Sequence, residues 1–400
     1  MDIQHIITAI LCTAMMAGCG TANEQPQTAS QASASTEASD TVSETVTETT
    51  PSKPARFVDD IQPLGRTYDD GNVLWMGYSG TGAAFTVTGK TCDITFAGGS
   101  ASVPKGKDCP RVAVYVDGER VLDELIDRKE KTFNIVKDPS ETTHDVRIVK
   151  LSECAQSVCG IRSIVTDGIM SPAAPKDMLI EFIGDSITCG YGVDDEDKSH
   201  HFSTATEDCT KAYAMKAAEK LDADASLVCL SGHGIISGYC DGNTQQKDQI
   251  MPKYYDKFGS SWSTFGDNAI KPASIEWDHH VHPDVVVINL GTNDASWTGG
   301  KEDRLADYQA KYSEFIRHIR DVHPDAYIVC TLGIMGDALY PYVEAAAGDV
   351  IHDTGDKKIL TMKFDVQSSA DGYAADWHPT EATHEKAAEK LAAFIKANCV

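Results

Sequence analysis

Four hundred residues are enough chain for two domains with full cores. Apolar residues at 42% and charged residues at 24% are the proportions of a soluble globular protein. With 35 Lys+Arg against 60 Asp+Glu, the net charge of -25 repels phosphate backbones. This argues against a nucleic-acid binder, and it suits a neutral substrate such as a polysaccharide better than an anionic one.

The N-terminus reads as export. Ile6 to Ala17 is a short apolar stretch, too short to span a bilayer, and it ends in Met16-Ala17-Gly18-Cys19. Small residues immediately before a cysteine resemble a bacterial lipoprotein signal, with Cys19 as the lipidated first mature residue. Residues 1–19 are then a leader, and the membrane is met only through that lipid, on the outside of the cell. The n-region carries no Lys or Arg, and a plain secretory leader is the competing reading. Residues 20–56 are rich in Ser, Thr, Ala, Gln and Glu with almost no large apolar side chains, so they read as a disordered tether. Of the 12 cysteines, setting aside Cys12 and Cys19 leaves 10, an even number. Cys154 and Cys159 are close enough for a local bridge, while Cys229 and Cys330 sit inside apolar runs as buried thiols would. The pairing stays open.

Residues 57–172 read as an all-β domain. Gly82–Gly89, Cys92–Phe96, Arg111–Val116, Glu119–Leu125, Lys131–Val136 and His144–Leu151 are short runs rich in Val, Ile, Thr and Tyr. Asp117-Gly118 between two of them is a hairpin signal. Short strands with turn signals and no convincing helix predict a β-sandwich of jelly-roll type. After Pro172–Pro175 the pattern changes, and 173–400 alternates strand and helix. Apolar runs at Met178–Ile183, Ser226–Leu230, Val285–Leu290, Tyr327–Leu332 and Ile359–Phe364 alternate with helical stretches at Cys209–Leu221, Arg304–His323 and Thr380–Asn398. Thr380 is the expected N-cap of the last one. This predicts a three-layer α/β domain around a parallel sheet, of flavodoxin-like type.

The polar residues that follow these strands carry the chemistry. Gly184-Asp185-Ser186 follows the first, Ser231-Gly232-His233-Gly234 the second and Gly291-Thr292-Asn293-Asp294 the third; Asp376-Trp377-His378-Pro379 precedes the last helix. Ester hydrolysis needs a nucleophile, a base and donors for the oxyanion. Ser186 supplies a hydroxyl, and His378 a base. The Ser186 and Gly232 N–H groups with the Asn293 amide supply donors. Each piece alone is an ordinary turn residue, but four at consecutive strand ends point to one site.

With those blocks the chain resembles the SGNH (GDSL) hydrolases, whose Ser, Gly, Asn and His correspond to Ser186, Gly232, Asn293 and His378. A β-sandwich ahead of such a domain resembles carbohydrate esterase family 2, on the stretches Gly184–Gly192 (GDSITCGYG), Ser231–Ile235 (SGHGI), Met251–Asp256 (MPKYYD) and Gly291–Asp294 (GTND). The resemblance covers residues 57 to 400. It implies a serine esterase that removes O-acetyl groups from acetylated xylan, mannan or related plant polysaccharide, with no metal or organic cofactor.

Many SGNH enzymes carry an acid three residues before the histidine, but position 375 is Ala. In an extended loop, residues two apart project to the same side, so Asp376 is the expected carboxylate behind His378. A backbone carbonyl in that place is the alternative. Asp278-His279-His280-Val281-His282 lacks the rest of a metal-ligand set at a recognised spacing and reads as a solvated loop. Tyr191, Tyr239, Trp297 and Trp377 flank the blocks and are the candidate sugar contacts. Two other functions stay in view: a lipase or other acyl-ester hydrolase, against which the polar loops speak, and a surface carbohydrate-binding protein with a vestigial site.

Overall fold

The change of hydrophobic rhythm near residue 173 is a change from one kind of sheet to another. The computed structural model describes residues 57–266 and 270–399, so the expected leader, the Cys19 lipidation site and the tether over 20–56 lie outside the described residues. After a single turn of helix, α1 (Phe57–Asp60), come β1 (Gln62–Leu64), β2 (Thr67–Asp69), β3 (Leu74–Met76), β4 (Gly82–Gly98), β5 (Arg111–Val116), β6 (Glu119–Leu125), β7 (Glu130–Lys150), β8 (Cys159–Thr166) and β9 (Ile169–Pro172). They form one nine-stranded antiparallel sheet, ordered β2-β3-β8-β4-β7-β5-β6, with β1 and β9 also paired to β4. The sequence splits β4 and β7 into two strands each. Each is one long strand, and the register shifts at Gly89/Thr91 and Cys92/Asp93. Such bulges bend a strand, so the sheet curls back on itself and encloses Phe85, Val87, Ile94, Phe96, Val112, Ile148 and Ile161. Asp117 and Gly118 both have positive φ, as a type I′ hairpin requires.

The second domain is built on β10 (Leu179–Gly184), β11 (Asp224–Cys229), β12 (Val285–Asn289), β13 (Tyr327–Ile334) and β14 (Ile359–Val366). All neighbours run parallel in the order β11-β10-β12-β13-β14, the flavodoxin-like order. Its helices are α2 (Ser186–Cys189), α3 (Tyr213–Lys220), α4 (Thr292–Thr298), α5 (Glu302–Val322), α6 (Tyr340–Thr354) and α7 (Glu381–Asn398). One face of the sheet packs Ile183, Val286 and Ile328 against α5 and α6 through Phe315, Ile319, Val343 and Ala347. The other packs Phe182, Leu227 and Val287 against α3 and α7 through Tyr213, Ala217, Leu391 and Ile395. Alternate side chains of strands covered on both faces must both be apolar, which is why these strands read as continuous apolar runs. The Thr380 side chain caps α7 by accepting from the Thr383 N–H.

The two sheets share packing. Trp75 of β3 lies 5.0 Å from Phe265, ring centre to ring centre, in one cluster with Tyr78 and Phe258. Arg66 is buried and donates to Glu181 at 3.2 Å and to the Tyr255 carbonyl. Arg111 meets Asp194, and Arg120 meets Asp208, each at 2.7 Å. The ten cysteines among the described residues are all free thiols; Cys154 and Cys159 are both buried, and the local bridge between them is not formed.

Candidate active site

The C-terminal end of β10 is the centre of the site. Gly184 is in register with Cys229 of β11 and Asn289 of β12, so three adjacent strands finish level. The chain leaves β10 toward β11 on one side and later joins β12 on the other, which opens the crevice where doubly wound sheets bind ligands. Residue 184 must be glycine here, because a Cβ would stand 2.0 Å from Thr188 Oγ1. Asp185 then leaves the strand in extended conformation and caps α2, its carboxylate accepting the Ile187 N–H at 3.0 Å. Ser186 is thereby the first residue of α2. An N–H at that position has no intrahelical acceptor and stays available to a ligand.

His378 comes to Ser186 from the loop ahead of α7. Its Nε2 is 2.9 Å from Ser186 Oγ, and its Nδ1 is 3.2 Å from the Ala375 carbonyl oxygen. A carbonyl only accepts, so Nδ1 carries the proton and Nε2 is left to accept from the serine hydroxyl. Tyr191 stacks on the imidazole, with ring centres 3.9 Å apart and planes 19° off parallel. Burial pushes the imidazole down to about 4, while the Asp376 charge and the Ala375 and Asp376 backbone pull the other way. The ring is therefore neutral and ready to take a proton.

Asp376 is not bonded to His378, and that expectation is corrected. Its carboxylate accepts from Tyr191 Oη at 2.6 Å and the Phe202 N–H at 3.0 Å, and pairs with His201 Nδ1 at 2.8 Å. The loop is not extended. Asp376 and Trp377 have φ of 51° and 65°, and two left-handed residues in a row turn the 376 side chain away from the 378 ring. The partner of Nδ1 is a backbone carbonyl, the alternative left open by the sequence.

Gly232 has φ of 76°, and a Cβ added there would meet nothing within 4 Å, so the residue borders open space. Among the described residues, its N–H donates to no protein acceptor. Asn293, on the first turn of α4, donates its side-chain N–H groups to the His233 carbonyl at 2.9 Å and to Asp185 Oδ2 at 3.2 Å. It thus ties the block of Ser186 to the block of Gly232. Two buried acids in these blocks had no role assigned from the sequence. Asp294 takes the N–H groups of Ile235, Ile236 and Ser237 at 2.8 to 3.0 Å. Burial pushes Asp294 up to about 6, against those N–H groups. Burial likewise lifts Asp185 to about 7, against the Ile187 N–H and with the Asp294 charge adding to the rise. Their signal was present as the acid next to Ser and next to Asn.

The four candidate sugar contacts divide. Tyr191 is packed against His378 and Phe202 and is not an open platform. Trp297 is half-buried, and the Arg304 guanidinium lies 3.3 Å over its ring. Tyr239 and Trp377 are each 40% exposed. The ammonium of Lys198 stands 4.0 Å from the Trp377 ring centre. In the Asp278–His282 run, His279 joins His318 on a single oxygen of Asp256, at 2.8 and 2.9 Å. A cavity of about 730 Å³ lies between the curled sheet and α3 and takes in none of the site residues.

Comparison with known proteins agrees with this geometry. Residues 182–386 match the GDSL-like Lipase/Acylhydrolase family, and residues 64–175 match Carbohydrate esterase 2 N-terminal. The chain is 30% identical over 318 residues to Cellulase/esterase CelE of Acetivibrio thermocellus, covering 77% of this chain and 37% of that protein. So it spans little more than a third of that relative. It is also 30% identical over 344 residues to an Acetylxylan esterase / glucomannan deacetylase of Cellvibrio japonicus, covering 83% of this chain and 87% of the relative. Among solved structures, a family two carbohydrate esterase from Clostridium thermocellum in complex with cellohexaose superposes with a TM-score of 0.73 at 27% identity, covering 84% of this chain and 98% of that one.

Proposed function

Because the chain belongs to the GDSL-like lipase/acylhydrolase family, behind a carbohydrate esterase 2 N-terminal domain, we propose that it is a serine esterase that removes O-acetyl groups from plant cell-wall polysaccharide. The substrates are acetylated xylan or glucomannan, the two named by its Cellvibrio relative, or the related acetylated mannan. The observation that carries the reading is the 2.9 Å contact between Ser186 Oγ and a neutral, buried His378 Nε2.

In this reaction Ser186 Oγ attacks the acetyl carbonyl as His378 Nε2 takes its proton. The oxyanion is met by the Ser186 and Gly232 N–H groups. The Asn293 amide joins them by releasing its longer bond, the one to Asp185 at 3.2 Å. The imidazolium then protonates the departing sugar oxygen, which leaves as a hydroxyl. Water, deprotonated by the same ring, cleaves the acetyl-serine and releases acetate. The Ala375 carbonyl keeps Nδ1–H aimed through the cycle. Tyr239 and Trp377 are the aromatic faces that remain open for sugar rings. The same proposal puts the enzyme outside the cell, held to the membrane by a lipid on Cys19, a reading that rests on the Met16–Cys19 run.

The test is acetate release from acetylated xylan, acetylated glucomannan and acetylated cello-oligosaccharide. Wild-type protein should release acetate from at least one of them. Ser186→Ala should lower kcat by on the order of 10⁶, the loss seen when a serine hydrolase loses its nucleophile. Near-wild-type release by a folded Ser186→Ala protein would overturn the reading.

A further inference from the structure

A group of buried acids lies directly beneath the oxyanion side of the cleft, and none of them belongs to the blocks described. Glu153 sits in the loop after β7, in the antiparallel domain, and is fully buried. Its Oε2 accepts the Ser231 N–H at 2.8 Å, the peptide N–H immediately before Gly232. Glu207, also fully buried, comes from the segment ahead of α3, and its Oε2 accepts the N–H of Glu153 at 2.8 Å. Among the described residues the second oxygen of each, Oε1, has no hydrogen-bond partner, while the Gln156 and Ser231 side chains face Glu153. An oxygen of each carboxyl and Cys189 Sγ all lie within 4.8 Å of one another.

Two carboxylates at that distance in a dry interior do not both stay ionised. Burial disfavours charge on each, and the charge of one raises the other. Burial, first, lifts both groups above the ordinary carboxyl range, and the Glu153 charge adds to the rise at Glu207. The groups facing the pair are few. Lys150 is fully buried and gives its ammonium hydrogens to the Ser152 and Glu153 carbonyls, so it offsets one negative charge without bonding to either carboxylate. Burial keeps Cys189 a thiol by raising it well above its ordinary range. Burial raises Tyr191, which stays neutral, and Cys154, Cys209 and Cys229 are the other titratable neighbours. With the Lys150 cation bonded beside them, burial of the two carboxyls favours one of them holding a proton.

We propose that Glu153, whose own N–H is held by Glu207, is a positioning residue of the oxyanion hole: it fixes the Leu230–Ser231 peptide, one unit before the Gly232 N–H, so that this N–H faces the oxyanion. The first domain would then reach into the chemistry of the second through one side chain. Position 153 needs the length of Glu and an acceptor oxygen at its end; it does not need the negative charge itself. The inference deepens the proposed esterase function and rests on it for the identity of the hole.

Length and charge separate cleanly in two variants. Glu153→Gln keeps the reach and an acceptor oxygen for the Ser231 N–H, without the charge. Glu153→Asp keeps the charge but is one methylene too short. Two readouts are taken on full-length protein: acetyl-ester turnover, and the rate at which a small alkyl fluorophosphonate labels Ser186, read by mass spectrometry. The phosphonyl oxygen uses the same hole, so the second readout does not depend on the natural substrate. Glu153→Asp should lose roughly 10- to 100-fold in kcat and in labelling rate with KM within about twofold, a loss of the size expected for misaiming one donor. Glu153→Gln should stay within about threefold of wild type in both. Equal behaviour of the two variants, or loss in Gln with retention in Asp, would overturn the proposal. If the labelling pattern holds but no acetylated polysaccharide is a substrate, the substrate reading fails and the positioning role stands. If wild type cleaves acetyl esters and Glu153→Asp labels at the wild-type rate while folded, the positioning role fails alone.

Discussion

The two flanks of Ser186 are held by different means. On the base side, His378 is oriented by a backbone carbonyl and a stacked tyrosine, and the nearest carboxylate, Asp376, points to Tyr191, His201 and Phe202. On the oxyanion side, Asp185, Asp294, Glu153 and Glu207 are all fully buried: Asp294 and Glu153 accept N–H groups flanking Gly232, Asp185 accepts the Ile187 N–H beside Ser186, and Glu207 accepts the N–H of Glu153. Acids are concentrated where N–H groups must be aimed, and no carboxylate bonds the group that moves the proton. The physical reason follows from what each flank does. A buried carboxylate bonded to N–H groups fixes backbone that otherwise has no partner. A neutral imidazole needs only one acceptor behind it to fix its tautomer.

Mutation can sharpen that contrast or break it. The largest effect expected in the comparison is at Asn293. Asn293→Ala should lower kcat on an acetyl ester by about 10²–10³, the usual effect of losing one oxyanion donor. KM should move far less, since the bond strengthens as charge develops. A raised KM at unchanged kcat would make Asn293 a binding or turn residue. Next comes Asp376. Loss of a triad carboxylate costs on the order of 10⁴ in kcat, but Asp376→Asn here should cost less than about tenfold, because the Ala375 carbonyl is untouched. Its main effect should be a lower Tm, since the loop carrying His378 weakens its side-chain ties to Tyr191, His201 and Phe202. A fall in kcat near 10⁴ would restore a catalytic triad acting through the charge of Asp376.

The smallest effect is a displacement on the pH axis. Burial holds His378 at about 4, and the neutral ring is the base, so activity is present above that value and lost as pH falls through it. The acid limb of kcat/KM should therefore fall near pH 4 and not near 6.5, the ordinary imidazole value. A limb between 6 and 7 would mean that burial does not lower His378, or that Asp294 or Asp185, whose carboxyls are lifted to about 6 and about 7, controls the rate.

Much of the site was legible because each block follows an apolar strand, and glycine beside a polar residue stands out there. Gly184, Gly232 and Gly291 mark the strand ends where the chain must turn. What escaped was set by distance in the chain or by local backbone. Glu153 and Glu207 are 54 residues apart, in different domains, and only the fold brings them under Ser231. Asp376 misled because alternation in an extended loop was assumed, while two left-handed residues reverse the side chain. Helix α6 is hard to read because Pro341 stands in its first turn and two of its five buried residues are alanine, which leaves a weak apolar period. In the first domain, the strands were read at about half their length in β4 and β7, because a bulge looks like a turn in a sequence.

That Ser186 Oγ is the nucleophile to which the acetyl group is first transferred is the central claim. Its most direct measurement is acid quenching of the enzyme during turnover of an acetyl ester, followed by peptide mapping by mass spectrometry. The account predicts one acetyl group on the peptide that contains Ser186, absent in Ser186→Ala and accumulating before steady release of acetate. Acetate released with no acetylated residue, or with the acetyl group elsewhere and unaffected by Ser186→Ala, would contradict it.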